Sequence, residues 1–192
     1  MRYLIVCGGK IDKEFGLNEI KTDGIDAIIA ADSGMDFLYE NGVTPDIIVG
    51  DFDSTTTNAL EYFERKGQTE IRRLNPIKDD TDTEYAIRLA ISEGARSIVV
   101  LGATGSRIDH VLGNISLLGI GLESGTDISI IDTNNRIRMA DKPVTIEKSA
   151  QYGRFVSLIA LTDDNEVSLK GFKYPVTDYS FDRFTSLGIS NE

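Results

Sequence analysis

Five short apolar runs, Tyr3–Cys7, Ala27–Ala31, Ile47–Gly50, Glu70–Leu74 and Ser97–Gly102, punctuate the first 125 residues, and segments with helical spacing lie between them. That alternation implies a mostly parallel, Rossmann-like sheet with helices on both faces. The helical segments have readable ends. Ser33 to Gly42, Thr56 to Gly67 and Asp82 to Gly94 each close on a glycine, the residue best suited to the left-handed conformation at a helix C-terminus. Leu60 and Phe63 share one face of the second segment. After Arg107, the residues Ile108, Val111, Leu112, Ile115 and Leu118 fall on a single stripe.

Beyond Gly125 the helical pattern stops. Asp127–Asp132 alternates, Asn134-Asn135 suits a turn, and Arg136–Ala140 and Val144–Lys148 read as short strands. Phe155–Leu161 and Glu166–Phe172, separated by Asp163-Asp164-Asn165, read as a hairpin. The expectation is therefore an α/β domain over residues 1–125 and an antiparallel β-sandwich domain over 126–192.

Composition narrows the function. The chain has 192 residues and a formal net charge of −11, which argues against a general nucleic-acid binder or a binder of anionic membranes. It does not exclude a phosphate ligand, because a divalent cation on clustered carboxylates inverts the local sign. The one cysteine, Cys7, cannot form an internal disulfide. No apolar stretch approaches the ~20 residues of a membrane helix, and the N-terminus lacks a signal-peptide pattern, so a cytoplasmic location is expected.

The chemistry lies in where the acids fall. Asp32 closes the second run, and Asp51 and Asp53 follow the third as Gly-Asp-Phe-Asp-Ser. Asp79, Asp80 and Asp82 come after the fourth, and Gly102-Ala-Thr-Gly-Ser-Arg-Ile-Asp-His110 after the fifth. The carboxyl ends of parallel strands share one edge, where ligands bind. Carboxylates crowded there raise one another's pKa, and a hard cation relieves them; an all-oxygen set without paired His or Cys points to Mg²⁺. Such a cation bridges to phosphates, which gives Lys78, Arg107 and the Gly105 backbone a ligand.

Each motif also has a purely structural reading. Thr81-Asp-Thr-Glu84 makes a capping box, and Asp32-Ser33 a helix start. His110 suits helix packing as well as base catalysis. Gly8-Gly9-Lys10 lacks Walker A spacing. The shared edge favours function for the set as a whole.

Together, Ala31-Asp-Ser-Gly34, Pro45-Asp-Ile-Ile-Val-Gly-Asp-Phe-Asp-Ser54, Lys78-Asp-Asp-Thr-Asp82 and Gly102-Ala-Thr-Gly-Ser-Arg-Ile-Asp-His110 with Asn114 resemble the thiamin pyrophosphokinase family. The resemblance continues through Gly171-Phe-Lys-Tyr-Pro175 and Gly188-Ile-Ser-Asn-Glu192. It implies diphosphoryl transfer from ATP to thiamin on a homodimer, with AMP as the other product. Carried over, Asp51, Asp53 and Asp82 hold Mg²⁺ with Asp32 nearby, and Lys78, Thr81, Gly105, Arg107 and Asp109 serve ATP. Ser190 and Asn191, small polar residues that nothing local places in a core, face thiamin across the dimer. Two departures stand out. Ser33 replaces the glycine usual after Asp32, and relatives continue past the position of Glu192. Two other readings remain: Asp51-Phe-Asp-Ser-Thr also resembles the start of haloacid-dehalogenase-like phosphatases, whose motif belongs after the first strand, and the carboxylates also suit a non-catalytic nucleotide-binding regulator that binds metal without turnover.

Overall fold

The computed structural model describes residues 1–53, 55, 57–75, 80–105 and 107–192. It divides into two compact units, Met1–Val144 and Thr145–Glu192. In the first unit, β1 (Arg2–Val6), β2 (Ala27–Ala31), β3 (Ile47–Gly50), β4 (Glu70–Arg73), β5 (Ser97–Leu101), β6 (Asp127–Ile131) and β7 (Arg136–Arg138) form one sheet. Their order is β4-β3-β2-β1-β5-β6-β7, and every neighbouring pair is parallel except β6–β7. Between the parallel strands run α1 (Lys13–Ile20), α2 (Gly34–Glu40), α3 (Ala59–Lys66), α4 (Asp82–Ser92) and α5 (Ile108–Ser124).

The continuous apolar run of β1 has a physical cause: both of its faces are covered. Tyr3, Ile5 and Cys7 pack with Ala86, Ile87 and Ala90 of α4 and Leu118 of α5. Leu4 and Val6 pack on the opposite side with Met35 and Leu38 of α2 and Ala59 and Phe63 of α3. Fully burying a side chain such as Leu4 or Phe63 contributes about 1.5–3 kcal/mol, so these two layers dominate the stability of the unit. Gly42, Gly67 and Gly94 take positive φ at or just past helix ends, as the sequence led one to expect. Among the described residues, no helix is long and apolar enough to cross a membrane.

Helix α1 was not foreseen, and its composition explains why. Gly16 interrupts an ordinary helical pattern, yet a Cβ there would lie 2.6 Å from Ile11 Cγ2 and 2.7 Å from Phe37 Cζ. Close packing selects the glycine, and the Asp12 side chain restores the helix start by accepting from Phe15 N at 2.9 Å.

The expected boundary at Gly125 is corrected. β6 pairs in parallel with β5, and Ile128, Ile130 and Ile131 are buried in the main sheet. Asn134-Asn135 does form the turn, with Asp132 Oδ1 accepting from both backbone N–H groups at 2.7 Å. That turn returns β7 antiparallel to β6, so the alternation beyond Gly125 belongs to the edge of the first sheet. The second unit is antiparallel, with a different pairing from the one expected. β8 (Asn165–Leu169) pairs with β9 (Val176–Phe181), across a turn that contains Gly171 at φ 80°. Phe155–Leu161 instead meets the C-terminal segment, through the Val156–Asn191 bridge and Leu158 N to Gly188 O at 2.9 Å. Val144–Lys148 is not a strand, and Lys148–Ala150 forms a 3-10 turn.

Candidate active site

The strand order reverses at β1: β2, β3 and β4 extend to one side of it, β5 and β6 to the other. The crevice outside the carboxyl ends of β1 and β5 is thus the switch point where open α/β sheets bind ligands. Glycines line it because backbone already fills the space. A Cβ on Gly9 would lie 2.2 Å from Gly102 O, and one on Gly102, at φ 70°, would lie 2.3 Å from Cys7 O. Gly9 N donates to Gly102 O at 2.9 Å, which ties the two strand ends together. The loop after β5 is braced from behind. Asn114 Nδ2 donates to Ala103 O at 2.9 Å, and Thr104 Oγ1 donates to Asp132 Oδ2 at 2.7 Å. The hydrogen bonds to Asp132 from Asn135, Thr104 and the backbone outweigh the effect of burial and hold its carboxyl below the usual range.

Asp32 ends β2 in a left-handed turn, φ 48°, with its N–H on Val49 O at 2.7 Å. The turn drives the start of α2 against β1: a Cβ on Gly34 would lie only 1.9 Å from Val6 O. Ser33 is tolerated because the close approach is made by Gly34. The Ser33 hydroxyl instead occupies the space above Gly8, 2.0 Å from where a Cβ on that residue would sit. β3 reaches the same point, since a Cβ on Gly50 would be 3.0 Å from Asp32 Cα. Asp51 and Asp53 follow directly, with Phe52 between them at φ 65°. Carboxylate oxygens of Asp32, Asp51 and Asp53 lie within 4.8 Å of one another.

Burial raises the Asp32 pKa above the ordinary carboxylate value, and the charges of Asp82, Asp51 and Asp53 push it the same way, against a hydrogen bond from Ser33 N–H. Asp82 opens α4 and is thus an electrostatic neighbour of Asp32. Among the described residues, Asp32, Asp51 and Asp53 form the group within 4.8 Å, and Asp82, expected from the sequence as the third ligand, is not part of it. Thr81 caps α4, its side chain accepting from Glu84 N at 3.2 Å. The capping box is only half made, because the Glu84 carboxylate pairs with Arg88. Cys7 lies beneath α4 with Sγ 3.4 Å from Thr83 Oγ1, and burial pushes its thiol up to about 11, so it stays protonated.

Arg107 precedes α5 and forms a two-pronged ion pair with Asp109, at 2.7 and 3.3 Å. Both side chains are exposed, which leaves the guanidinium accessible and oriented. His110 is exposed in the first turn of α5. Lys78 and Asp79, with Ser54, Thr56 and Ser106, lie outside the described residues.

In the second unit, Ser190 is exposed at φ 63°, with its N–H on Ser157 Oγ at 3.0 Å. Asn191 is buried, contrary to the expectation that nothing local holds it. Its amide accepts from Tyr174 N at 3.0 Å and donates to Tyr174 O at 2.8 Å. Sequence reasoning also missed Asp36, Thr55 and Thr57: both threonine hydroxyls donate to Asp36 Oδ1 beside the acidic loop. The signal available was spacing: Asp36 stands one helical turn after Asp32.

An open, mostly parallel sheet with a glycine-lined switch point and three carboxylates on its rim defines an α/β protein suited to holding a hard cation against phosphate. Residues 21–130 match the family model for the thiamin pyrophosphokinase catalytic domain, and residues 143–192 match that for the thiamin pyrophosphokinase vitamin B1 binding domain. The chain belongs to the thiamin pyrophosphokinase family.

The thiamine pyrophosphokinase of Bacillus subtilis (strain 168) is 36% identical over 166 residues, which cover 85% of this chain and 77% of the relative. A crystal structure of thiamine pyrophosphokinase from Bacillus subtilis superposes with a TM-score of 0.87 at 33% identity, covering 100% of this chain and 89% of that one. The thiamin pyrophosphokinase of Geobacillus thermodenitrificans gives 0.82 at 30% identity, covering 100% and 88%. Neither the phosphatase reading nor the regulator reading finds support in these relationships, and Asp51 follows β3 rather than the first strand.

Proposed function

We propose that this chain transfers the diphosphoryl group of ATP to the hydroxyl of thiamin, giving thiamin diphosphate and AMP. The observation that carries this reading is the carboxylate trio at the switch-point edge, within the segment matched to the family's catalytic domain. The donor set is all oxygen, and Asp32 sits in an environment whose repulsion a cation would relieve, so the residues fit a hard divalent ion.

Mg²⁺ is the ion that suits such a set when phosphates complete its shell, and Asp51 and Asp53 with Asp32 or Asp82 would hold it. When bound, it supplies charge neutralisation at the phosphate oxygens. The chain's own residues do the rest. The glycine cradle of Gly8, Gly9, Gly102 and Gly105 lets phosphate oxygens approach the backbone. Arg107, held by Asp109, together with Lys78 and Thr81, contacts ATP and steadies charge on the transferring group. Where Asp32 completes the ion's ligand set, the Asp82 carboxylate at the start of α4 is left to accept the proton of the attacking hydroxyl. Little covalent work falls to the protein in such a transfer, so positioning and electrostatics carry the rate.

Ser190 offers a hydroxyl to thiamin, while Asn191 fixes the Tyr174 backbone within the thiamin-binding unit. The active assembly is a homodimer, located in the cytoplasm, with no nucleic-acid partner. The test is product identity. With ATP, Mg²⁺ and thiamin, the reading requires equimolar AMP and thiamin diphosphate. ADP with thiamin monophosphate, or inorganic phosphate from simple monoesters, would overturn it.

A further inference from the structure

Asp36 lies in the first turn of α2 and points its carboxylate at the loop that carries Asp51 and Asp53. Thr55 Oγ1 donates to Asp36 Oδ1 at 2.9 Å, and Thr57 Oγ1 donates to the same oxygen at 2.5 Å. Thr57 Oγ1 also accepts from Ala59 N at 3.0 Å. This bond matters because Asn58, at the N-cap position of α3, makes no side-chain cap. One oxygen of Asp36 thereby fixes both the acidic loop and the start of the helix that ends it.

The loop has a reason to need fixing. Its two acids are held within 4.8 Å of Asp32, and like charges so close repel. The backbone offers modest help: Asp53 N donates to Asp51 Oδ1 at 3.2 Å in an exposed segment, and Phe52 holds a left-handed φ of 65°. Asp32 and Asp36 stand on the same short stretch of chain, at the end of β2 and the first turn of α2. An anchor at Asp36 therefore sets the position of Asp51 and Asp53 relative to Asp32 itself.

We propose that Asp36 is a positioning residue for the cation site: through Thr55 and Thr57 it holds the Asp51–Asp53 loop against Asp32, so that the trio is assembled before the ion arrives. This inference rests on the reading of Asp32, Asp51 and Asp53 as the cation-holding set. Pre-assembly reduces the ordering cost of binding, so its loss weakens the affinity for the ion rather than the chemistry that follows. The role is geometric. An asparagine oxygen accepts the same two hydroxyls, whereas an alanine accepts neither.

The test is Mn²⁺ binding to the full chain without nucleotide, followed by the electron paramagnetic resonance signal of the free ion. D36A and the double variant T55V/T57V should each weaken Mn²⁺ binding about tenfold, the scale of losing one to two hydrogen bonds. D36N should stay within about twofold of the parent. Thermal melts establish that each variant is folded at the assay temperature. In the steady state, D36A should raise the Mg²⁺ concentration for half-maximal rate and leave kcat at saturating Mg²⁺ near the parental value. If D36A binds Mn²⁺ as the parent does, or D36N loses as much as D36A, the positioning role is wrong. If the parent itself takes up no Mn²⁺, or D51N binds it undiminished, the cation reading falls and this inference falls with it.

Discussion

Replacing Gly34 by alanine tests the geometry that brings Asp32 to the rim. The added Cβ would lie 1.9 Å from Val6 O, 2.6 Å from Val6 C and 3.0 Å from Cys7 C. A carbon needs roughly 3.3 Å from a carbonyl oxygen, so about 1.4 Å must be recovered. No flexible side chain can yield it, because both partners are backbone. Val6 is fully buried and its strand is paired on both sides, to Ala30 of β2 and Leu101 of β5. Overpacking of this kind costs about 3 kcal/mol or more, and the better helix propensity of alanine offsets at most about 1 kcal/mol. The net expectation is a loss of at least about 2 kcal/mol, with a strong loss of activity as α2 moves away from β1 and takes Asp32 with it. Gly113→Ala is the internal control. Gly113 lies within α5 with no heavy atom within 4 Å of an added Cβ, so the same substitution there should stabilise by about 0.5–1 kcal/mol. Urea unfolding should move the two midpoints in opposite directions with little change in slope. A Gly34→Ala protein as stable as its parent would refute the close approach of α2 to β1.

Two other substitutions separate structure from chemistry at the same edge. Thr81→Ala should cost roughly 1 kcal/mol through the lost cap of α4, whereas Asp82→Asn should leave stability nearly unchanged and remove activity. Full turnover in Asp82→Asn would leave that segment a helix start and nothing more. The raised pKa of Asp32 also makes a signed prediction for the protein with divalent ions chelated. Between the ordinary carboxylate value and the higher folded-state value, the native form keeps a proton that the unfolded chain has released. Stability should therefore fall as pH rises through that window, and Asp32→Asn should remove this part of the slope in melts recorded across acidic pH.

How much of this was legible in the sequence depended on whether a signal was local. Tyr3–Cys7 and Ser97–Gly102 announced buried strands because both faces of the central sheet are covered, and no tertiary detail was needed to see it. The edge carrying Asp32, Asp51, Asp53 and Asp82 was legible for the same reason, since parallel strands must end together. That Asp32 comes within 4.8 Å of Asp51 and Asp53 was not. It depends on the left-handed turn at Asp32 and on how close β3 comes to it, a distance no spacing encodes. Asp127–Asp132 alternates like an antiparallel strand, yet β6 pairs in parallel with β5, with Ile128 and Ile130 buried on one face of the sheet and Ile131 on the other. Asn191 looked like a loose polar end, and only the fold shows its amide clamped to the Tyr174 backbone. Asp36 carries no local signal beyond its spacing from Asp32, and its contacts to Thr55 and Thr57 come from the fold.

If the carboxylates after β3 drive the transfer, Asp51→Asn and Asp53→Asn must lose turnover. Each should release AMP from ATP and thiamin at least ~10²-fold more slowly than the parent at saturating Mg²⁺, the scale of losing one strong electrostatic contact to the transition state. Each should remain folded, with an unfolding midpoint equal to the parent's or slightly higher, because crowded negative charge has been relieved. Near-parental turnover in both variants at saturating Mg²⁺ would show that Asp51 and Asp53 do not drive the transfer.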